Sequence, residues 1–179
     1  MKVSTKYTNS SEFQKKILGS SGYRPAVGLM IINKNNEIFL GNRIDSKHTA
    51  WQMPQGGINL GETPSQAAMR EMLEEIGSNN ANIVAESRYW YCYDIPEKSV
   101  SQLWGGKYCG QNQKWFLIRF EGNDDEINIQ TQIPEFSQWQ WVAPEKLNTT
   151  IAYFKRRLYG AVMREFKPLL KKYATIEDK

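Results

Sequence analysis

The sequence predicts an α/β fold, with a mixed β-sheet between helices on both faces. Three observations predict it. An apolar, partly β-branched run at 25–33 is followed by a polar turn and a second apolar run at 37–41, which reads as a strand hairpin. A helix with start and stop signals at both ends is predicted over 64–76. After further strand-like segments, an apolar stripe at helical spacing closes the chain over 151–173. Strand pair, helix, strands and helix, in that order, suit a sheet layered between helices.

Each element has a local reason. Residues 1–21 are polar, with Ser pairs at 10–11 and 20–21, and read as a flexible extension with a short helix near 11–17. Asn33-Lys34-Asn35-Asn36 is the turn of the hairpin. Residues 42–57 read as a loop. Thr63 is a good N-cap with Gln66 at capping-box spacing, Pro64 falls at the first helical position, and Gly77 stands where a left-handed C-terminal cap belongs. Strands follow at 83–95, 114–120 and 138–142, the last in period-two alternation, with a loop at 96–112, a turn at Asn123-Asp124-Asp125 and an irregular stretch at 126–134. The closing stripe is Ile151, Phe154, Leu158, Ala161, Val162, Phe166, Leu169 and Tyr173, and Pro168 is expected to kink or shorten its helix. The extension at 1–21, one domain over 22–173 and a short tail at 174–179 account for the 179 residues.

Composition narrows the class. With 40% hydrophobic and 12% aromatic residues the chain can build a core. No run is long and apolar enough for a membrane span, and the N-terminus lacks the apolar stretch of a signal peptide. The two cysteines, Cys92 and Cys109, fit no zinc spacing, so reduced thiols and a cytoplasmic location are expected. Residues 155–172 hold seven basic residues against Glu165 alone, a net of +6, so the rest of the chain carries −2 of the overall +4. A basic C-terminal element beside an acidic site suits a polyanionic substrate.

The chemistry concentrates on the predicted helix at 64–76. Glu71, Glu74 and Glu75 lie at i, i+3 and i+4, on one face, with Arg70 as the only cation in the helix. Like charges at that spacing cost an isolated helix roughly 0.2–0.5 kcal/mol per pair. Such a set of hard oxygen donors calls for a divalent metal, Mg²⁺ or else Mn²⁺.

The pattern Gly56, Glu62 and Arg70-Glu71-Met72-Leu73-Glu74-Glu75-Ile76-Gly77 resembles the signature of the Nudix hydrolases, with one departure at Ser78, where that family usually has an aliphatic residue. The resemblance covers about 22–173. It implies an α/β/α sandwich in which a loop–helix–loop holds divalent metal and the diphosphate of the substrate. Five further segments are similar to one branch, the bacterial RNA pyrophosphohydrolases and dinucleoside polyphosphate hydrolases. They are Gly22 to Gly28, Trp51 to Gly57, Gln113 to Phe116, Pro134 to Trp141, and Phe154-Lys155-Arg156.

The resemblance implies roles. Glu71, Glu74, Glu75 and Glu135 are metal ligands, with the Gly56 carbonyl as a further one. Arg70 orients the carboxylates, and Glu62 fixes the loop by accepting backbone or Arg hydrogen bonds. The general base is Glu74, Glu75 or Glu135. By their own positions, Arg24 at a strand start, Arg43 on the loop leading into the signature and Lys114 opening a strand are candidate phosphate contacts. Phe154 can stack on a nucleobase while Lys155 neutralises phosphate, although Phe154 also lies on the apolar stripe. Trp115 and Phe116 are expected in the core, and His48 on the surface without a catalytic role. The implied substrate is 5′-triphosphorylated RNA, cleaved to a 5′-monophosphate for RNA decay, or else a dinucleoside polyphosphate. A non-catalytic nucleotide-binding module is the rival from another class, but such modules usually lose signature glutamates, and all are present. The expected result is that Glu74→Gln keeps the fold and lowers turnover roughly a hundredfold or more, since charge stabilisation or acid–base help is lost. Steady-state kinetics with circular dichroism checks it, and unchanged activity contradicts the metal assignment.

Overall fold

The computed structural model describes residues 3–4, 22–45, 51–95 and 104–174. At its centre lies β2 (Tyr23–Ile32), parallel to β7 (Gly110–Phe120) along its whole length, from Tyr23 opposite Gly110 to Ile32 opposite Arg119. The antiparallel β6 (Ala81–Asp94) flanks β7, and β1 (Val3–Ser4) adds to the outer edge of β6. On the other side, β3 (Ile38–Arg43) meets β2 at Ile32 and Ile38, then pairs with β8 (Phe136–Val142) and β4 (Trp51–Gln52). β5 (Gln55–Gly57) takes the edge of β2 that β3 leaves, placing Gly57 opposite Ala26 and Gln55 opposite Gly28.

The expected hairpin is therefore present but narrow at its base. The Asn33 side chain closes its turn by accepting from the Asn35 and Glu37 amides, and Asn36 takes φ 58°. Beyond it, Leu29 N–H goes to the Pro54 carbonyl and β5 takes the residues before, which releases β3. The stretch read as a loop at 42–57 thus contains β4 and β5. Strands of two or three residues carry no periodicity of their own, and their pairing is imposed by the long strands beside them.

β2 is buried on both faces, which is why it reads as a continuous apolar run. Val27, Leu29 and Ile31 pack with Ala67, Ala68, Met72 and Ile76 of α1 (Pro64–Ile76). Met30 and Ile32 join Leu158, Tyr159, Val162 and Phe166 of α3 (Arg156–Ala174). The period of two along the strand separates the core into these two layers and makes the sandwich. Trp115 and Phe116 are both fully buried, one in each layer.

The end of the chain departs from expectation. The stripe at 151–173 is not one helix. A short α2 (Leu147–Thr150) and a 3₁₀ turn at Tyr153–Lys155 precede α3. Ile151 is buried where it bridges to Trp51, but Phe154 stands half exposed, off the core. Pro168 lies inside α3 without ending it. Both Pro168 and Arg164, whose carbonyl loses its helical donor there, face solvent, so water can serve the group. The side chain of Tyr173, residues 175–179 and the expected helix near 11–17 lie outside the described residues.

A test of the layered core is Gly28→Ala. An added Cβ would sit 2.4 Å from the fully buried Trp115 indole, which has no room to move. Overpacking of this kind costs about 1–3 kcal/mol, to be read as a lower denaturant midpoint at unchanged slope.

Candidate active site

Helix α1 forms as its sequence dictates. Thr63 and Gln66 complete a capping box, and Gly77 closes the helix at φ 74°, donating its N–H to Leu73 O. The helix then lays Glu71 and Glu75 against the sheet and leaves Glu74 in solvent. Gly56 is required by this packing. A Cβ there would fall 1.8–2.0 Å from the Glu71 carboxylate, so the backbone of β5 and that carboxylate are in direct contact.

Arg70 ties the segment together. Its Nε and Nη2 donate to the two Glu62 oxygens at 2.8 and 2.9 Å, its Nη1 to Glu71 at 2.7 Å and Glu74 at 3.1 Å, and its Nη2 also to Gly57 O at 2.7 Å. Glu62 accepts in addition from the Asn59 amide, so it fixes the loop as expected. Its bond to Arg70 holds its pKa below the usual carboxylate value. Ser78, the departure from the signature, is buried, and its hydroxyl accepts from the Asn80 amide.

Glu135 reaches the same place from the far end of the chain. The ladder between β3 and β8 shifts register between Asn42 and Arg43, and beyond it Ile44 N–H bonds to Glu135 O at 3.0 Å. Glu71, Glu74, Glu75 and Glu135 then line one cleft of about 530 Å³, with Leu73 and residues 131–133. Arg43 donates to Glu135 at 3.0 Å and twice to Asp45 at 2.6 Å. Burial raises the Glu71 pKa against the pull of Arg70. The fully enclosed Glu75 is pushed well above the ordinary value, first by burial and then by Glu135 and Glu71.

A polar network adjoins this cleft on the α3 side. Lys155 is buried and donates to Gln52 Oε1 and Gln55 Oε1, both at 2.6 Å. The Gln55 amide donates to Glu75 Oε2 at 3.3 Å, and its side chain meets Tyr93, Gln111 and Gln113. Burial and the Arg43 charge lower the Lys155 pKa to about 7, against the attraction of Glu75, Glu135 and Asp45. Sequence reasoning missed Gln52, Gln55, Tyr93, Gln111 and Gln113. The readable signal was the polar run Gln111 to Lys114 opening a strand that becomes apolar at Trp115.

The remaining candidates divide. Arg24 lies against Gly57, where an added Cβ would sit 2.1 Å from its guanidinium, and so beside the loop that Arg70 holds. Phe154 keeps half its surface in solvent, with the Lys155 ammonium 5.9 Å from its ring. Lys114 is buried elsewhere, donating to Ser87 O at 2.5 Å and pairing with Glu86 at 2.9 Å. A bulge in β6 between Glu86 and Trp90 turns Ser87 toward it. His48 lies outside the described residues.

The NUDIX domain model matches residues 22–164. The chain belongs to the NUDIX family. Members of this family hydrolyse phosphoanhydride bonds and use divalent metals. An RNA pyrophosphohydrolase from Rickettsia conorii is 60% identical over 148 residues, which cover 83% of this chain and 92% of the relative. One from Rickettsia prowazekii is 59% identical over the same coverage. Among solved structures, an Ap4A hydrolase from C. elegans superposes with a TM-score of 0.61 at 23% identity, covering 82% of this chain and 98% of that one. A dihydroneopterin triphosphate pyrophosphohydrolase from E. coli gives 0.59 at 18%, covering 75% and 92%. These two show that the fold is the Nudix sandwich.

The Nudix donor set suits a divalent cation. Its donors are hard oxygens, Glu75 Oε1 is buried without a hydrogen-bond partner, and the Gly56 backbone touches the Glu71 carboxylate. Among the described residues no three acidic, Cys or His side chains stand close enough to hold one ion as they lie. Arg70 holds one oxygen of Glu71 and one of Glu74, and Arg43 one of Glu135, so ligation requires these carboxylates to draw closer together than they stand.

Glu75 makes stability depend on pH. A carboxylate whose folded pKa is raised contributes stability that is present below about pH 4.5 and lost as pH rises through the folded value. In chelator, Glu75→Gln is therefore expected to raise the melting temperature, with a gain near zero at pH 4 that grows toward pH 8. The gain should reach roughly 2–4 °C or more, the shift that 1 kcal/mol brings in a chain of this size. Thermal melts across pH check it.

Proposed function

We propose that this chain removes pyrophosphate from 5′-triphosphorylated RNA, leaves a 5′-monophosphate end and so promotes RNA decay, in the cytoplasm and with Mg²⁺. The observation that carries the reading is about 60% identity to Rickettsia RNA pyrophosphohydrolases over 92% of their length. The acidic cleft with cations and an exposed ring at its side is in keeping with it. The thiols of Cys92 and Cys109 are free, which suits a reducing compartment, and no helix among the described residues is long and apolar enough to cross a membrane.

Hydrolysis of a phosphoanhydride needs a placed nucleophile, neutralised phosphate oxygens and a stabilised leaving group. Bound divalent metal supplies charge neutralisation and an activated water. In this reading Glu71, Glu74, Glu75 and Glu135 hold it, with the Gly56 carbonyl as a further donor. A glutamate, Glu74, Glu75 or Glu135, takes the proton of the attacking water. Arg70 keeps the carboxylates in register. Arg24 and Arg43 meet phosphate, Lys155 does so only if it leaves Gln52 and Gln55, and Phe154 carries a base. Lys114 serves phosphate only if it leaves Ser87 and Glu86.

Mn²⁺ suits the same hard oxygen set. A dinucleoside polyphosphate is the second substrate the site can take, since it too presents a nucleotide on a polyphosphate. With Mg²⁺ present, kcat/KM on triphosphorylated RNA is expected to exceed that on diadenosine tetraphosphate by about tenfold or more, the scale of 1.4 kcal/mol of extra transition-state binding. The reverse ranking assigns the chain to the dinucleotide. Chelation should abolish both activities.

A further inference from the structure

The 3₁₀ turn at Tyr153–Lys155 is pinned at both ends. Ile151 is buried and bridges to Trp51, and Ala152 N–H donates to Trp51 O at 3.3 Å. Lys155 is buried beneath the turn, held by Gln52 and Gln55. Between these anchors two aromatic rings in succession face outward, Phe154 at 50% exposure and Tyr153 at 82%. A single exposed ring needs no explanation, but two on one fixed turn beside a cluster of cations do. Arg156 places its guanidinium 5.3 Å from the Tyr153 ring, and Arg156 and Arg157 are both exposed.

We propose that Tyr153 is a second base platform, taking a base of an RNA substrate further from the 5′ end than the base on Phe154. The inference rests on the reading of the chain as an enzyme of RNA 5′ ends. Phe154 adjoins Lys155, which is bonded through Gln55 to Glu75, so a base there lies next to the reacting phosphates. Tyr153 comes one residue earlier on the same turn. A ring backed by Arg156 on one side offers its other side for stacking, and Arg156 and Arg157 neutralise the phosphates that join the bases. Stacking on an aromatic ring is tolerant of sequence, so the site grips chain length and not base identity. A dinucleoside polyphosphate, which has no chain continuing from its 3′ side, gains nothing from this platform.

The test compares wild type, Tyr153→Ala and Tyr153→Phe on a 5′-triphosphorylated dinucleotide and a 5′-triphosphorylated octanucleotide. Wild type is expected to show the higher kcat/KM on the octanucleotide. Tyr153→Ala should lose roughly tenfold there, mostly in KM, and several times less on the dinucleotide, whereas Tyr153→Phe keeps the length preference. Equal loss on both lengths, or no loss, overturns the platform while leaving the reaction intact. A changed sedimentation coefficient in Tyr153→Ala without a length-dependent loss assigns the ring to a protein contact and also overturns it. If wild type hydrolyses neither RNA but does hydrolyse diadenosine tetraphosphate, the functional reading fails and the platform with it.

Discussion

Arg70 is the interaction on which the site depends. One guanidinium joins Glu62 of the loop, the Gly57 carbonyl of β5, and Glu71 and Glu74 of α1. Glu71 is nearly buried and packed on the Gly56 backbone, a position that an isolated carboxylate would not hold. The cation compensates the burial of that charge, so loop, strand edge and helix become one unit. The small size of Gly56 and the length of Arg70 are two halves of the same arrangement. Any side chain at position 56 would separate the strand from the carboxylate that Arg70 holds.

That unit supplies only one wall. The opposite wall comes from residues 131–135, which lead into β8, and the turn before α3 adjoins it through Lys155 and Gln55. The register shift at Arg43 brings Glu135 to the cleft, and the bridge from Trp51 to Ile151 brings the Tyr153–Lys155 turn beside it. Buried Glu71, Glu75 and Lys155 thus gather beside the more exposed Glu74 and Glu135. Burial and mutual repulsion raise Glu71 and Glu75, and burial with the Arg43 charge lowers Lys155. Groups whose proton affinities are drawn toward neutrality suit a site that must both bind polyphosphate and move a proton.

The double burial of β2 makes this possible. With α1 packed on one face and α3 on the other, the acidic helix and the basic helix are held on opposite sides of one sheet, and their functional ends meet at its edge around β5. The overall charge of +4 hides this separation between an acidic wall and a basic one. A polyanion carrying both a metal-binding phosphate chain and a nucleoside is matched by that asymmetry.

Local rules sufficed for α1. Its caps, its bounds and the single face of Glu71, Glu74 and Glu75 follow from spacing, because helix geometry acts over three or four residues. The apolar run of β2 likewise announced a strand buried on both sides. Glu135, by contrast, carried no local signal, and its place near Glu75 depends on a ladder between β3 and β8 that joins positions about ninety residues apart in sequence. The short strands β4 and β5 and the split between α2 and α3 were invisible for the same reason, since neighbours distant in sequence impose them. Lys114 and Phe154 show the limit in both directions. A bulge in β6 turned Lys114 away into a buried pair, and a 3₁₀ turn lifted Phe154 off the stripe its spacing suggested. Sequence by itself determined the family signature and the chemistry of its carboxylates, because these reside in one continuous segment. Only the tertiary structure decided which distant residues complete the site, because long-range pairing and burial, not local spacing, set their positions.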